Sequence, residues 1–145
     1  MITTEKLTLQ DFHIDGVRHI TPANALEAVK SDKAVIIDVR EENEVALENI
    51  ALDNVLYHPM SVILDRLPHI SKDQNIITVC PGGVRSSKVA NLLIKNDYPN
   101  VANLEGGLMM WKAQGLPFES NLSFTGGCSC GCSNASNDKN DGGCC

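Results

Sequence analysis

The sequence predicts an α/β domain with a mostly parallel central sheet, helices on both faces, and a polar tail. Three observations predict it. Short β-branched runs alternate with segments of helical period. Residues 35–39, Val-Ile-Ile-Asp-Val, are apolar almost throughout, as a strand buried on both faces of a parallel sheet requires. After Glu119 the composition shifts to Asn, Ser, Gly, Asp and Cys. The 145 residues therefore divide into an N-terminal extension (1–16), one domain (17–119) and a tail (120–145).

Residues 1–16 are polar and show only a vague pattern. Val17 to Ile20 predicts a first short strand. Thr21-Pro22 is an N-cap followed by proline at the first helical position. Leu26 and Val29 give that helix, residues 22–31, its apolar face. Ser31-Asp32-Lys33 turns the chain into the buried strand 35–39. Residues 41–50 predict a short helix, and 55–58 a strand. Residues 61–67 predict a helix with Ile63, Leu64 and Leu67 inward. Ile76 to Val79 is the next strand, and Ser86 to Asn96 a helix on which Val89, Leu92 and Leu93 share a face. Val101 to Leu104 is a further strand. Gly107 to Gln114 is the last helix, with Gly115 at its C-terminal side.

Charge and hydropathy exclude several function classes. A net charge of −6 argues against a nucleic-acid partner. The apolar runs are a handful of residues long, too short to span a membrane. The first residues, Met-Ile-Thr-Thr-Glu-Lys, lack a basic stretch followed by an apolar one, so a reducing cytoplasm is the expected location. Cysteine usage agrees. Cys80 stands alone in the first 127 residues, whereas a disulfide framework would spread its cysteines through the fold.

The chemistry concentrates in residues 80–86, Cys-Pro-Gly-Gly-Val-Arg-Ser. Cys80 follows a predicted strand and precedes a predicted helix. That position aims backbone N–H groups and the positive end of a helix dipole at its sulfur, favouring the reactive thiolate. A strand-end cysteine is otherwise a small buried apolar residue. The two glycines, the arginine and the following helix favour a nucleophile. Gly82 and Gly83 allow unusual φ values and close approach to the sulfur, and Pro81 removes one N–H. Four residues separate Cys80 from Arg85. One residue more makes the loop that holds a tetrahedral phosphate in cysteine phosphatases. The shorter loop suits one added sulfur atom. Ser86 and Ser87 either cap the helix or hydrogen-bond the sulfur.

These residues resemble the rhodanese family of sulfurtransferase domains in three blocks, in order. Residues 35–41 with Glu44 resemble the first signature. Residues 80–86 fit the family's Cys-x-x-Gly-x-Arg-Ser loop. Residues 101–107 with Trp111 and Gly115-Leu116-Pro117 resemble the closing block. The resemblance implies that Cys80 takes up a sulfane sulfur as a persulfide, held by the backbone amides of Gly82, Gly83, Val84, Arg85 and Ser86. Arg85 would orient the donor. The donor would be a small molecule or a protein persulfide, the acceptor a thiol or cyanide, and no organic cofactor is required. Asp38, Arg40, Glu41 and the Asn103–Gly107 turn would tie strands and loops together, and Trp111 would be core.

The chain departs from the family pattern twice. Residues 49–55 lack the glycines and proline usual there, and the active loop carries a single cation, Arg85, so thiosulfate is expected to be a poor donor. The tail adds Cys128, Cys130, Cys132, Cys144 and Cys145. Its composition predicts disorder in the metal-free, reduced state. Its thiols could hold Cu(I) or Zn(II), or accept sulfur from Cys80, although the spacing is not that of a standard zinc site. The alternative function is thus a non-catalytic module whose tail binds soft metal. His13, His19, His58 and His69 have no metal-like spacing with one another.

Overall fold

A computed structural model describes Thr3, Thr4 and residues 6–120. Its centre is a five-stranded sheet in the order β1-β6-β5-β2-β4, parallel throughout. The strands are β1 (Arg18–Ile20), β2 (Val35–Asp38), β4 (Val55–Tyr57), β5 (Ile76–Val79) and β6 (Val101–Leu104). In the central register Ile36 lies beside Ile77, and Ile77 beside Ala102. β5 and β6 are buried at every residue, which is why their sequences show no polar alternation.

Helices cover both faces. On one, α1 (Pro22–Lys30) and α5 (Gly107–Ala113) bury Ala25, Val29, Leu108 and Trp111 against Ile36, Ile77 and Leu104. On the other, α4 (Val84–Lys95) and α3 (Ile63–Arg66) bury Val89, Leu93 and Ile63 against Ile37, Ile76 and Cys80. Successive residues of β2 and β5 serve opposite cores because strand side chains alternate. The end of β5 thus points Cys80 toward the α4 face.

Three features differ from the sequence-based expectation. The helix predicted over 41–50 stops early. α2 is Glu42–Leu47, and β3 (Glu48–Ile50) pairs antiparallel with β7 (Phe118–Ser120), setting Ile50 beside Phe118. A partner some 70 residues away overrides the local helical pattern. Leu64, predicted inward, is 62% exposed. α3 is one turn between two 3₁₀ turns, Met60–Val62 and Leu67–His69, and this geometry turns Met60, Ile63 and Leu67 to the core instead. The predicted boundary at residue 17 is not a boundary in space. Thr4 bridges to His19, and the backbone N–H groups of Thr8 and Leu9 both donate to Glu105 Oε2. The segment's apolar residues show no helical or strand period, and the contacts that attach it include backbone polar groups, which leave no trace in a sequence pattern.

β2 ends in a buried ion pair. Arg40 donates to both carboxylate oxygens of Asp38, at 2.9 and 2.7 Å, and to the Glu48 carbonyl at 2.7 Å. Asp38 is 0% and Arg40 4% exposed. Asp38→Ala strands a buried guanidinium and is expected to cost about 3–5 kcal/mol. Urea unfolding would measure it, and a loss under about 1 kcal/mol would show that water replaces the carboxylate.

Candidate active site

Cys80 sits one residue past β5 and is 1% exposed. The chain then turns through Pro81, Gly82 and Gly83 into α4. Gly83 is the N-cap, at φ +91°, a conformation that favours glycine. This places the Gly83 N–H 3.0 Å from Cys80 Sγ and the Ser86 hydroxyl 3.3 Å from it. The sulfur therefore lies at the positive end of a 12-residue helix, beside a backbone donor and a hydroxyl. Ser86 is the serine that meets the sulfur. Ser87 donates back to the Gly83 carbonyl at 2.6 Å, and neither caps the helix.

A second helix fixes the far side of the loop. The N–H groups of Leu108 and Met109, in the first turn of α5, donate to the carbonyls of Cys80 and Pro81 at 2.9 and 3.0 Å. Groups left unpaired at a helix start thus hold the loop's carbonyls away from the helix on which the sulfur rests. The close approach requires Gly107. It has φ +65°, and a Cβ there would stand 2.5 Å from both the Cys80 and Pro81 carbonyl oxygens. The closing-block turn is structural, as expected, and what it supports is the active loop itself.

Arg85 is engaged. Its guanidinium donates to both carboxylate oxygens of Glu44, each at 2.8 Å. The arginine hydrogen bond holds the Glu44 carboxyl down from its ordinary 4.5 to about 2, and Glu44 in turn raises Arg85. Glu44 also accepts from the Glu41 N–H, completing a capping box at the start of α2. Because the folded-state value is the lower one, the pair contributes stability above about 4.5 and loses it as pH falls toward 2. Both side chains are about a third exposed, so the contribution is modest.

Of the predicted site residues, Cys80, Gly83 and Ser86 come together. Val84 and Arg85 form the first turn of α4, and Gly82 sits where an added Cβ would meet nothing within 4 Å. Cys128, Cys130, Cys132, Cys144 and Cys145 lie outside the described residues. Among the described residues no group of three or more His, Cys, Asp or Glu could hold a metal ion. No described helix is long and apolar enough to cross a membrane.

Sequence reasoning missed Gln10, read Asn103 only as part of a structural turn, and read His19 only as lacking a metal-like spacing. Gln10 Oε1 accepts from the Gly106 N–H at 2.8 Å and from Asn103 Nδ2 at 3.2 Å, so residue 10 rests against the turns that frame the loop. Asn103 Oδ1 accepts from the Ser86 hydroxyl. Asn103 and His19 are fully buried polar residues on neighbouring strands, and that polarity within core strands was the available signal.

A family model described as a rhodanese-like domain matches residues 21–114. A sulfurtransferase of Allochromatium vinosum is 32% identical over 87 residues, 60% of this chain and 79% of that protein. A tRNA uridine(34) hydroxylase of Erwinia tasmaniensis is 30% identical over 127 residues; the match takes in 80% of this chain but only 36% of that relative. The crystal structure of a rhodanese-like domain protein from Staphylococcus aureus superimposes with a TM-score of 0.59 at 34% identity, covering 70% of this chain and 98% of the other.

Proposed function

The chain belongs to the family of rhodanese-like domains, and from that premise we propose that it transfers sulfane sulfur through a persulfide on Cys80. The observation that supports this reading best is the seat of the sulfur, with the Gly83 N–H and the Ser86 hydroxyl beside it at the start of α4. Only four residues lie between Cys80 and Arg85, a short loop that would suit one added sulfur.

In the first step the Cys80 thiolate attacks the outer sulfur of a donor R–S–SH. A new S–S bond forms, the donor's S–S bond breaks, and R–S⁻ leaves and is protonated. In the second, an acceptor thiolate or cyanide attacks the outer sulfur of the enzyme persulfide and returns Cys80 as a thiolate. No cofactor or outside oxidant takes part. Mass spectrometry of the Cys80 peptide after mixing with a persulfide donor should show one added sulfur atom, lost again on adding cyanide. An unmodified peptide would sink the reading.

The paired state of Arg85 bears on the donor. With Glu44 ionised beside it, the pair presents no net charge to a dianion such as thiosulfate. A protein or low-molecular-weight persulfide is the better fit. Glu44→Gln should free Arg85 and lower the KM for thiosulfate by about tenfold, the scale of one charge-assisted contact. Thiocyanate formation would measure it, and an unchanged KM would show that Arg85 does not meet the donor.

Cys128, Cys130, Cys132, Cys144 and Cys145 offer acceptor thiols, or ligands for Cu(I) or Zn(II), within the same chain. Metal titration of the reduced full chain against a chain ending at Ser120 separates that role from an inert tail.

A further inference from the structure

The half-buried side chain of Gln10 joins the two helix starts that hold the Cys80 loop. Its Oε1 accepts from the Gly106 N–H at 2.8 Å and from Asn103 Nδ2 at 3.2 Å. Its Nε2 donates to the Phe12 carbonyl at 2.8 Å and, over a longer 3.4 Å, to the Gly83 carbonyl. A peptide N–H only donates, so the atom facing Gly106 is the oxygen, and the NH₂ faces the two carbonyls. Each end of the carboxamide meets complementary groups, and its orientation is thereby fixed.

The glycines on either side make room for it. Gly83 and Gly106 are the N-caps of α4 and α5, at φ +91° and +79°. A Cβ on Gly83 would collide with Gln10 Oε1, so the carboxamide lies where a side chain of residue 83 would project. The two residues before it are anchored to the same turn. The N–H groups of Thr8 and Leu9 donate to Glu105, and a Cβ on Gly106 would stand 3.3 Å from Leu9 Cβ.

Gly83 needs such support. Its N–H is the backbone donor to Cys80 Sγ, at 3.0 Å. It follows Gly82, where an added Cβ would meet nothing within 4 Å. Two adjacent glycines let the peptide between them rotate at little steric cost. That rotation turns the N–H away from the sulfur and the Gly82 carbonyl toward it. The other hydrogen bonds of Gly83 are with Cys80 and Ser87, inside the loop and α4. Among the described residues, Gln10 is the hydrogen-bond partner that reaches Gly83 from elsewhere in the chain.

We infer that Gln10 is a positioning residue for Cys80: by tying Gly83 to the start of α5, it keeps the Gly83 N–H aimed at the sulfur. The family match covers residues 21–114, and Gln10 lies outside it. The segment before β1 therefore takes part in shaping the loop.

This role rests on Cys80 being the reacting thiol, as proposed above, but its test does not use sulfur transfer. In the full-length chain, labelled with carbon-13 at cysteine Cβ, the pH midpoint of the Cys80 signal reports ionisation of its thiol. The signal is assigned by its absence from Cys80→Ser. Gln10→Ala should raise that midpoint by about one pH unit, a roughly tenfold fall in thiolate at a given lower pH, the scale of a weakened hydrogen bond to a charged group. Asn103 Nδ2 keeps its second acceptor, His19 Nδ1 at 3.1 Å, so Ser86 does not turn to offset the change. Thr8→Ala, which removes a hydroxyl contact to Glu105 and leaves the carboxamide in place, should not move the midpoint. If the amide spectrum shows Gln10→Ala unfolded, Gln10→Asn, one methylene too short to span both glycines, serves instead and should raise the midpoint. An unshifted midpoint in the folded variant, or an equal shift in Thr8→Ala, overturns the inference. The expected shift in a protein whose Cys80 forms no persulfide would leave the positioning role standing and remove the proposed reaction.

Discussion

Cys80→Ser should leave the fold intact and abolish persulfide formation, lowering kcat/KM for thiocyanate production on the order of 10⁴-fold or more. The substitution is nearly isosteric in a site that already holds a backbone donor and a hydroxyl, so the serine oxygen finds partners in the Gly83 N–H and Ser86. Stability should change by less than about 1.5 kcal/mol. The lost property is chemical. An alkoxide is inaccessible at neutral pH, and a sulfur carried on oxygen would not be a persulfide. Thermal unfolding and a thiocyanate assay on the same sample test both halves. Retained activity in a chain that also lacks the five tail cysteines would sink the mechanism.

Gly107→Ala should be nearly as damaging by a different route. Alanine at φ +65° costs about 1 kcal/mol in backbone strain alone. The added methyl would also stand 2.5 Å from two carbonyl oxygens, both backbone, so no side-chain rotation relieves it. α5 and the loop must separate, and the N–H bonds of Leu108 and Met109 to that loop are lost. The expected stability loss is about 2–4 kcal/mol, with sulfur transfer reduced more than stability explains. Gly82→Ala is the control. Its Cβ meets nothing within 4 Å, and stability should move by no more than about 0.5 kcal/mol. Equal effects at the two glycines would show that contact with α5 does not set the loop's shape.

What was legible in the sequence was what is contiguous in it. The central strands announced themselves through Val35–Ile37 and Ile76–Val79, where burial on both faces removes any need for polar residues. The candidate loop was legible because its cysteine, glycines, arginine and helix start share seven residues. Pairings across long stretches of chain were hidden. Glu44 and Arg85 were both visible as residues, but nothing local says that they bind each other across 41 positions. Glu105 meets Leu9 across 96 positions and His19 meets Asn103 across 84, each through polar groups that carry no periodic signature. β3 was misjudged for the same reason, since its partner is the last described strand. Leu64 failed differently. A single turn between 3₁₀ segments is too short for the helical period to predict which side faces inward.

The near-complete burial of Cys80 has a consequence for regiochemistry. A persulfide has two electrophilic sulfurs. Attack at the outer one delivers the product, whereas attack at the inner one expels hydrosulfide and leaves a mixed disulfide that inactivates the enzyme. With Cys80 only 1% exposed, the inner sulfur of the proposed persulfide would be shielded by the loop, and the added atom would be the one open to attack. The same shield screens what may load the site: a donor must present its transferable sulfur at a chain end, because an ordinary disulfide, substituted on both sides, cannot bring either sulfur to Cys80.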